Sequence, residues 1–502
     1  MSSIRRQSII SSLVIYTGFI IGLLNVYLFT KQGIFLDPQF GLYNAFIAIA
    51  TMMMAFASLA MPSYIYKFYP YYKEHLPANK NDQVTWALLI STIGFILVIV
   101  AGIFFKGLVI KKYGTNAPEL VAHYTWIFPL GFGLVVYTIL EAYSWQLHKS
   151  VFTNFLKEVL WRLFTTVLIV LFATGVIRNF DVFIKVFSFS YPFIAVTLLF
   201  YLLFTKKIHF TFRITKVTRR FSKSILRLCS YVYAGSVIFT ISLVFDSLVI
   251  GSVLNDALTK LAIFSVAQNI CAMIAVPQRG IIAASIAHLS KAWKDKNMAL
   301  IQRIYQRSSI NQLVFSCGLF LLIVLNFTDA VTTFHLKGTY LDAYYVIILL
   351  GLTKIVDMGT GLNAQIIATS TYWRFEMVSG VILLMLMLPL SYILTKNFDI
   401  VGTGFANLIS ITIYNIIRTV FLWKKFKLFP LTIQSLYTVL LAAGCYAICH
   451  FTFTNIHGLT GLFLRSIGFM LLYAAGAIYL DLSPDIKPVM QTIRKKMRIG
   501  KD

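Results

Sequence analysis

The residues that could do chemistry in this chain are charged and polar side chains set inside long apolar segments. Asn154, Glu158, Arg162 and Thr166 recur every four residues, so on a helix they form one stripe in which Glu158 and Arg162 can pair. Lys354, Asp357, Gly361 and Gln365 align in the same way, and Lys354 and Asp357, three apart, can neutralise one another. Asn407, Tyr414 and Arg418 make a third stripe, and Gly235, Ser242 and Asp246 a fourth. Ser265, Gln268 and Arg279 share a side, with Pro277 expected to break the helix beside Arg279. Further stripes are Tyr137, Glu141, Ser144 and His148, and Asn44, Thr51 and Ser58. An ionisable group at a bilayer centre costs on the order of 3 kcal/mol, so such groups face a bundle interior or a watery cavity. Basic candidates outnumber acidic ones, and a cationic cavity suits an anionic substrate such as a diphosphate. The candidate substrate-binding residues are therefore Arg162, Arg279, Lys354, Asp357, Arg418 and Asp246. Blander roles compete with this one. Glu158 lies near a span edge, Arg418 could snorkel toward the head groups, and Asn, Ser and Thr stripes often glue helices together.

These residues must be positioned by membrane-spanning helices. Of the 502 residues 58% are hydrophobic and 12% charged, against about 45–50% and about 25% in a soluble domain. A span needs about 20 apolar residues. On that measure spans fall at 9–30, 41–63, 85–105, 122–146, 155–176, 183–204, 228–253, 261–285, 309–328, 341–365, 373–395, 400–422, 431–453 and 461–481. The fold class expected is an all-α, polytopic integral membrane protein. It has about 14 transmembrane helices, in two six-helix bundles plus two extra C-terminal helices. The expected domains are an N-terminal bundle over 1–204, a basic connector over 205–227, a C-terminal bundle over 228–424, two added helices over 425–483 and a basic tail over 484–502. An even number of spans puts both termini on one side. With that side cytoplasmic, its loops and tails hold 30 Lys and Arg against eight on the opposite side. The loop bearing Lys106, Lys111 and Lys112 fits this orientation badly.

The net charge of +26 is spread over short loops, so anionic lipid and the orientation rule account for it, and nucleic acid is not an expected partner. The connector is its densest run, with Lys206, Lys207, Arg213, Lys216, Arg219, Arg220, Lys223 and Arg227 and no acid. The five cysteines form no CxxC pair, so neither metal nor redox chemistry is expected, and no resident cofactor is. No GxxxxGK[ST] phosphate loop is present, which excludes an ATPase of that type. No cleavable signal peptide is evident, and no catalytic residues stand out.

Short motifs then add a resemblance. The run Phe40-Gly41-Leu42-Tyr43, the span ending Ser58-Leu59-Ala60-Met61-Pro62, and Phe245-Asp246-Ser247-Leu248-Val249-Ile250-Gly251 resemble the polysaccharide (O-antigen, lipid-linked oligosaccharide) flippases of the multidrug/oligosaccharidyl-lipid/polysaccharide exporter superfamily. Leu261-Ala262-Ile263-Phe264-Ser265-Val266-Ala267 and Ile286-Ala287-His288-Leu289-Ser290 are similar to its second-half motifs. Ala60 and Met61 stand where Gly and Leu are common there. Phe40–Tyr43 and Leu261–Phe264 occupy matching places, as an internal repeat of six spans would have them. The resemblance implies two helical bundles that alternate between membrane faces. Its cargo would be an undecaprenyl-diphosphate-linked oligosaccharide, a polysaccharide or lipopolysaccharide precursor, moved across the cytoplasmic (inner) membrane. Partners would be that lipid-linked oligosaccharide, membrane lipids, and a polysaccharide polymerase and glycosyltransferases.

Two relatives of that reading stay open. A cation-coupled multidrug exporter needs a buried acid for H+ or Na+, typically including one in the first span, and 9–30 has none. Asp246 or Asp357 could still hold a coupling H+ or Na+. A peptidoglycan lipid-precursor flippase is expected to carry arginines in the first span, and 9–30 has none. A membrane glycosyltransferase needs acids in sizeable outer loops, and the loops here are short.

Overall fold

A computed structural model describes residues 3–485; of the basic tail expected over 484–502, all but Pro484 and Asp485 lie outside the described residues. The described chain is helical, with no β-strand. In order the α-helices are α1 (Ser3–Thr30), α2 (Asp37–Ala57), α3 (Met61–His75), α4 (Gln83–Phe104), α5 (Lys106–Tyr113), α6 (Pro118–Ala122), α7 (Ile127–Gln146), α8 (Ser150–Asn154), α9 (Trp161–Ala173), α10 (Phe180–Phe187), α11 (Ser190–Phe204), α12 (Lys216–Val253), α13 (Ala257–Ile274), α14 (Val276–Lys294), α15 (Met298–Thr333), α16 (Ala343–Gly359), α17 (Asn363–Thr369), α18 (Trp373–Phe426), α19 (Ile433–Thr452) and α20 (Gly458–Tyr479). A π-helical turn, Phe155–Leu160, joins α8 to α9.

Eleven described helices are long and apolar enough to cross a membrane, or twelve if the bent pair Gly338–Gly359 and Asn363–Thr369 is one span. The expected total of fourteen is higher, and the difference has two sources. The expected fifth span, 155–176, runs through the π turn and is no single long α-helix. The expected eleventh and twelfth spans are the two arms of α18, which break at Phe398 and Asp399. Those arms fold back on one another. Thr395 and Thr403 share a 2.7 Å hydrogen bond near the break, and Phe375 stacks on Phe421 with ring centroids 3.9 Å apart.

The chain divides into two compact units, Met1–Ala262 and Ile263–Asp502. In the first, α7 packs against α2, α3, α4 and α11, while α1 lies along α8, the π turn and α9. The burial pattern follows from lipid as solvent. In the spans holding α2 and α7, 61% of the residues are buried, but in that of α4, with mean hydropathy 2.7, only 22%. Ile96, Leu97, Val100 and Ile103 on α4 are exposed, as a lipid-facing side requires.

The resemblance motifs have local reasons. A Cβ added to Gly41 would sit 1.8 Å from the Leu258 carbonyl oxygen, so only glycine lets α2 approach that backbone. Between α2 and α3 the chain turns through Leu59 (φ 46°) and Ala60 (φ 57°), both left-handed. That explains why Gly is common at the Ala60 position in the resembled family: a Cβ there costs about 1–2 kcal/mol.

The basic connector is loop only as far as Thr215, whose side chain caps α12, so Lys216 to Arg227 form the helix's first turns. Buried Asp82 pins it. Its carboxylate accepts from the Thr215 amide (3.0 Å), the Thr215 hydroxyl (2.8 Å) and the Thr218 hydroxyl (2.7 Å). Thr218 in turn meets Tyr72 at 2.7 Å, and Tyr72 meets Tyr64 at 2.7 Å. The helix beyond packs on α2 and α3.

In the second unit α15 packs against α14, α16, α19 and α20, and α16 and α17 against α18. Of the two C-terminal helices, α19 packs on α15 through Ala442, Cys445 and Cys449, and α20 is fastened to it by charge. Arg465 pairs with Asp329 and also donates to the carbonyls of Gly461, Leu325 and Ile456. Past α20, Arg307 pairs with Asp485 and holds that carboxyl below the ordinary aspartate value of 3.8. A lowered folded value means the contact stabilises fully above the unfolded aspartate range and is lost only as pH falls through the lowered one.

Opposite effects are expected at the two motif positions. Gly41→Ala should lower the detergent-solubilised melting temperature, by about 1–3 kcal/mol of overpacking. Ala60→Gly should leave it unchanged or raise it. A melting temperature unmoved by Gly41→Ala would refute the close approach to Leu258.

Candidate functional site

Of the candidate residues, Asp357 and Arg418 join one polar cluster, in the C-terminal unit, and Arg162 another, in the N-terminal unit. In the C-terminal unit the helix breaks supply the geometry. The helix expected to break at Pro277 does so at Ala275, with Pro277 in the first turn of α14. The segment expected as one tenth span bends by 43° after α16, where Gly361 has φ +65°. Asp357, two residues before the end of α16, accepts from Gln278 Nε2 on α14 (3.4 Å) and from Asn415 Nδ2 on α18 (3.3 Å). Asn415 is 1% exposed, and its Oδ1 accepts from the Thr360 hydroxyl (2.8 Å) and Asn363 Nδ2 (2.7 Å).

Arg418 lies one turn beyond Asn415 and is 4% exposed. Its guanidinium pairs with Glu376 on the other arm of α18 and lies over the Tyr414 ring, 3.8 Å from the centroid. It therefore does not snorkel: the carboxylate and the ring hold it inside the protein. The expected Lys354–Asp357 pair is also corrected. The Asp357 carboxylate turns instead to the amides on α14 and α18, and Lys354 makes no ion pair among the described residues. Arg279, next to Gln278, is exposed and likewise makes none. The C-terminal unit thus gathers a buried neutralised arginine, a hydrogen-bonded carboxylate and two uncompensated cations.

The N-terminal cluster is built on the π turn, which carries Lys157 and Glu158. Glu158 pairs with Arg162 at 2.9 Å, as the four-residue spacing predicts. Lys157 reaches Glu141 on α7 at 3.4 Å, so the two stripes meet. From α1, Asn25 donates to the Arg162 carbonyl (2.9 Å), and its Oδ1 accepts from the Thr166 hydroxyl (2.6 Å). Gly18 and Gly22 let α1 come this close: a Cβ on Gly18 would lie 2.3 Å from the Glu158 carbonyl oxygen. Asp246 is buried elsewhere in this unit, on α12.

A family model described as polysaccharide biosynthesis protein matches residues 4–293, more than half of the chain. The chain belongs to the polysaccharide biosynthesis protein family. Comparison with curated proteins found no match. Among solved structures, the lipid II flippase MurJ in an inward closed conformation is 16% identical, covering 94% of this chain and 99% of its own, with TM-score 0.71. An inward-facing multidrug resistance MATE transporter of the MOP superfamily is 14% identical, covering 84% of this chain and 98% of its own, with TM-score 0.63. A MOP superfamily transporter from Pyrococcus furiosus, described as having a binding pocket of reverse polarity, is 16% identical, covering 84% and 95%, with TM-score 0.51. This member of the polysaccharide biosynthesis family therefore has the multi-pass fold of MOP-superfamily flippases and transporters.

Several residues of the polysaccharide biosynthesis protein's clusters escaped the sequence. Glu376 is 42 positions from Arg418 and Asn415 is 58 from Asp357, distances no helical period spans. Asn25 could have been found, as a lone amide in an apolar first span. Removing one member of a buried ion pair strands the other, so Arg418→Ala should cost about 3–5 kcal/mol in unfolding experiments. The double substitution Arg418→Met with Glu376→Gln should recover most of that loss. Equal instability of the single and double variants would refute the pairing.

Proposed function

We propose that this protein is a flippase that moves an undecaprenyl-diphosphate-linked oligosaccharide, a polysaccharide or lipopolysaccharide precursor, across the cytoplasmic (inner) membrane by alternating access. The observation that supports it most is the family match combined with fold coverage. The lipid flippase structure covers 94% of the chain and the drug-transporter structure 84%. That difference has the size of one helical hairpin such as α19–α20, which Arg465 fastens to α15. In this reading the bundles 1–204 and 228–424 rock against one another about the connector 205–227. Both termini are cytoplasmic, as the 30-to-8 distribution of basic residues favours. Arg279 and Lys354, which have no carboxylate partner among the described residues, and the paired Arg162 and Arg418 hold the diphosphate or acidic sugars. The lipid tail stays in the membrane, and a polymerase and glycosyltransferases act before and after. The protein itself makes and breaks no covalent bond.

The fold of the multidrug transporters favours a second reading, a cation-coupled exporter. The chain lacks an acid in α1 from Ser3 to Thr30, and H+ or Na+ would bind at an acid elsewhere, such as Asp246 or Asp357. Leaflet-resolved measurement of lipid-linked glycan separates the two. On depletion, glycan should accumulate on the cytoplasmic face, relieved by the wild type but not by Arg279→Ala or Lys354→Ala. Unchanged glycan with altered sensitivity to cationic dyes would overturn the flippase reading in favour of the exporter.

A further inference from the structure

A pocket of about 450 Å³ lies within the N-terminal unit, between α3, α4 and the first half of α12. It is lined almost wholly by apolar side chains, among them Met61, Trp86, Ile90, Leu226 and Tyr233. It plays no part in either polar cluster. Three features give it one kind of occupant.

The first is depth. The lining on α12 runs from Thr218 to Tyr233, which is about 22 Å of helix at 1.5 Å per residue. With its charged turns at the head groups, the pocket runs from the head-group level into the adjoining hydrocarbon of one leaflet. The helix has 38 residues, about 57 Å, so its charged N-terminal turns extend past the hydrocarbon to the head groups.

The second is charge. On α12 the lining positions 218, 222 and 226 follow one row, and Arg219 and Lys223 stand one position further round, on its flank. Both side chains are exposed and form no ion pair among the described residues. Lys216, Arg220 and Arg227 lie on the same turns, and the connector holds no acid at all. Beside this basic rim the lining carries no charged side chain, and its polar groups belong to Thr218, Ser222, Ser230, Tyr64, Tyr233, Cys229 and Trp86.

The third is an unused donor. Trp86 lines the pocket, and its Nε1 is shielded from solvent with no hydrogen-bond partner among the described residues. A buried indole N–H normally has one. An acceptor from a bound molecule would complete it.

We propose that this pocket is a binding site for an anionic glycerophospholipid. An acyl chain fills the space between α3, α4 and α12. An ester oxygen accepts from Trp86 Nε1, and the phosphate meets Arg219 and Lys223. The site goes beyond the transport reading and does not depend on it, since every group named lies in the N-terminal unit and none belongs to the clusters above. Its consequence is regulatory. The Thr218 hydroxyl that lines the pocket is also a donor to Asp82, so an occupant bears directly on the contact that holds the connector.

The test uses the full chain in phosphatidylcholine nanodiscs containing a minority of phosphatidylglycerol, with dibrominated acyl chains on an equal amount of one lipid or the other. Bromine quenches tryptophan only at close range, and the chain has seven tryptophans. Brominated phosphatidylglycerol should quench more than brominated phosphatidylcholine, and Trp86→Phe should abolish that excess. Arg219→Gln with Lys223→Gln, both at exposed positions, should weaken the phosphatidylglycerol preference about tenfold while leaving the circular dichroism unchanged. Equal quenching by the two lipids, or an excess that survives Trp86→Phe, would overturn the proposal. So would displacement by undecaprenyl phosphate but not by unlabelled phosphatidylglycerol, which would give the pocket to a polyprenyl chain. Glycan translocation is measured separately, so a failed flippase assay leaves this result readable.

Discussion

An ion inside an apolar span has no water to retreat to, and the placing of helices here follows from that constraint. Each deep charge that finds a partner on another element fixes where that element lies. Arg418 and Glu376 join the two arms of α18, Lys157 and Glu141 join the π turn to α7, and Arg465 and Asp329 join α20 to α15. Replacing such pairs by apolar side chains of similar volume is often nearly neutral for stability, whereas stranding one member is severe. Their main contribution is therefore to specify which helices are neighbours among many of similar hydropathy.

The same constraint explains where regular helix gives way. A broken helix within a membrane leaves backbone groups that need other partners. The end of α16 meets this need through Ser309, whose hydroxyl donates to the Gly359 carbonyl at 2.5 Å. Beside it stands the hydrogen-bonded group of Thr360, Asn363 and Asn415. The π turn is answered by α1, brought close by two glycines. Both polar clusters thus sit at irregular backbone, and that irregularity turns the side chains of Asp357 and Lys157 toward other helices rather than along their own. Transport by rocking bundles would draw on such places, since they concentrate polar groups without long stretches of exposed backbone.

The connector shows how one stretch serves two demands. Its basic side chains at Arg219, Arg220, Lys223 and Arg227 are exposed, while Thr215 and Thr218 donate to Asp82. Asp82 is fully buried although it sits in a loop, and three hydrogen bonds in series, through Thr218 and Tyr72, link it to Tyr64 on α3.

What the sequence determined by itself was whatever depends on local periodicity and solvent preference. That includes the all-α membrane class, the place of most spans, the Glu158–Arg162 pair and a helix break next to Pro277. The sequence also separated the two arms of α18, at 373–395 and 400–422, on either side of the break at Phe398 and Asp399, but it could not foresee a π turn within 155–176. Tertiary structure alone decided the partners of the deep charges. Arg418 has Glu376 and Tyr414 rather than the lipid surface, and Asp357 has Gln278 and Asn415 rather than Lys354. The physical reason is that hydropathy and helical period are properties of neighbours along the chain. The partner of a buried charge is set by which helices pack together, tens of residues apart.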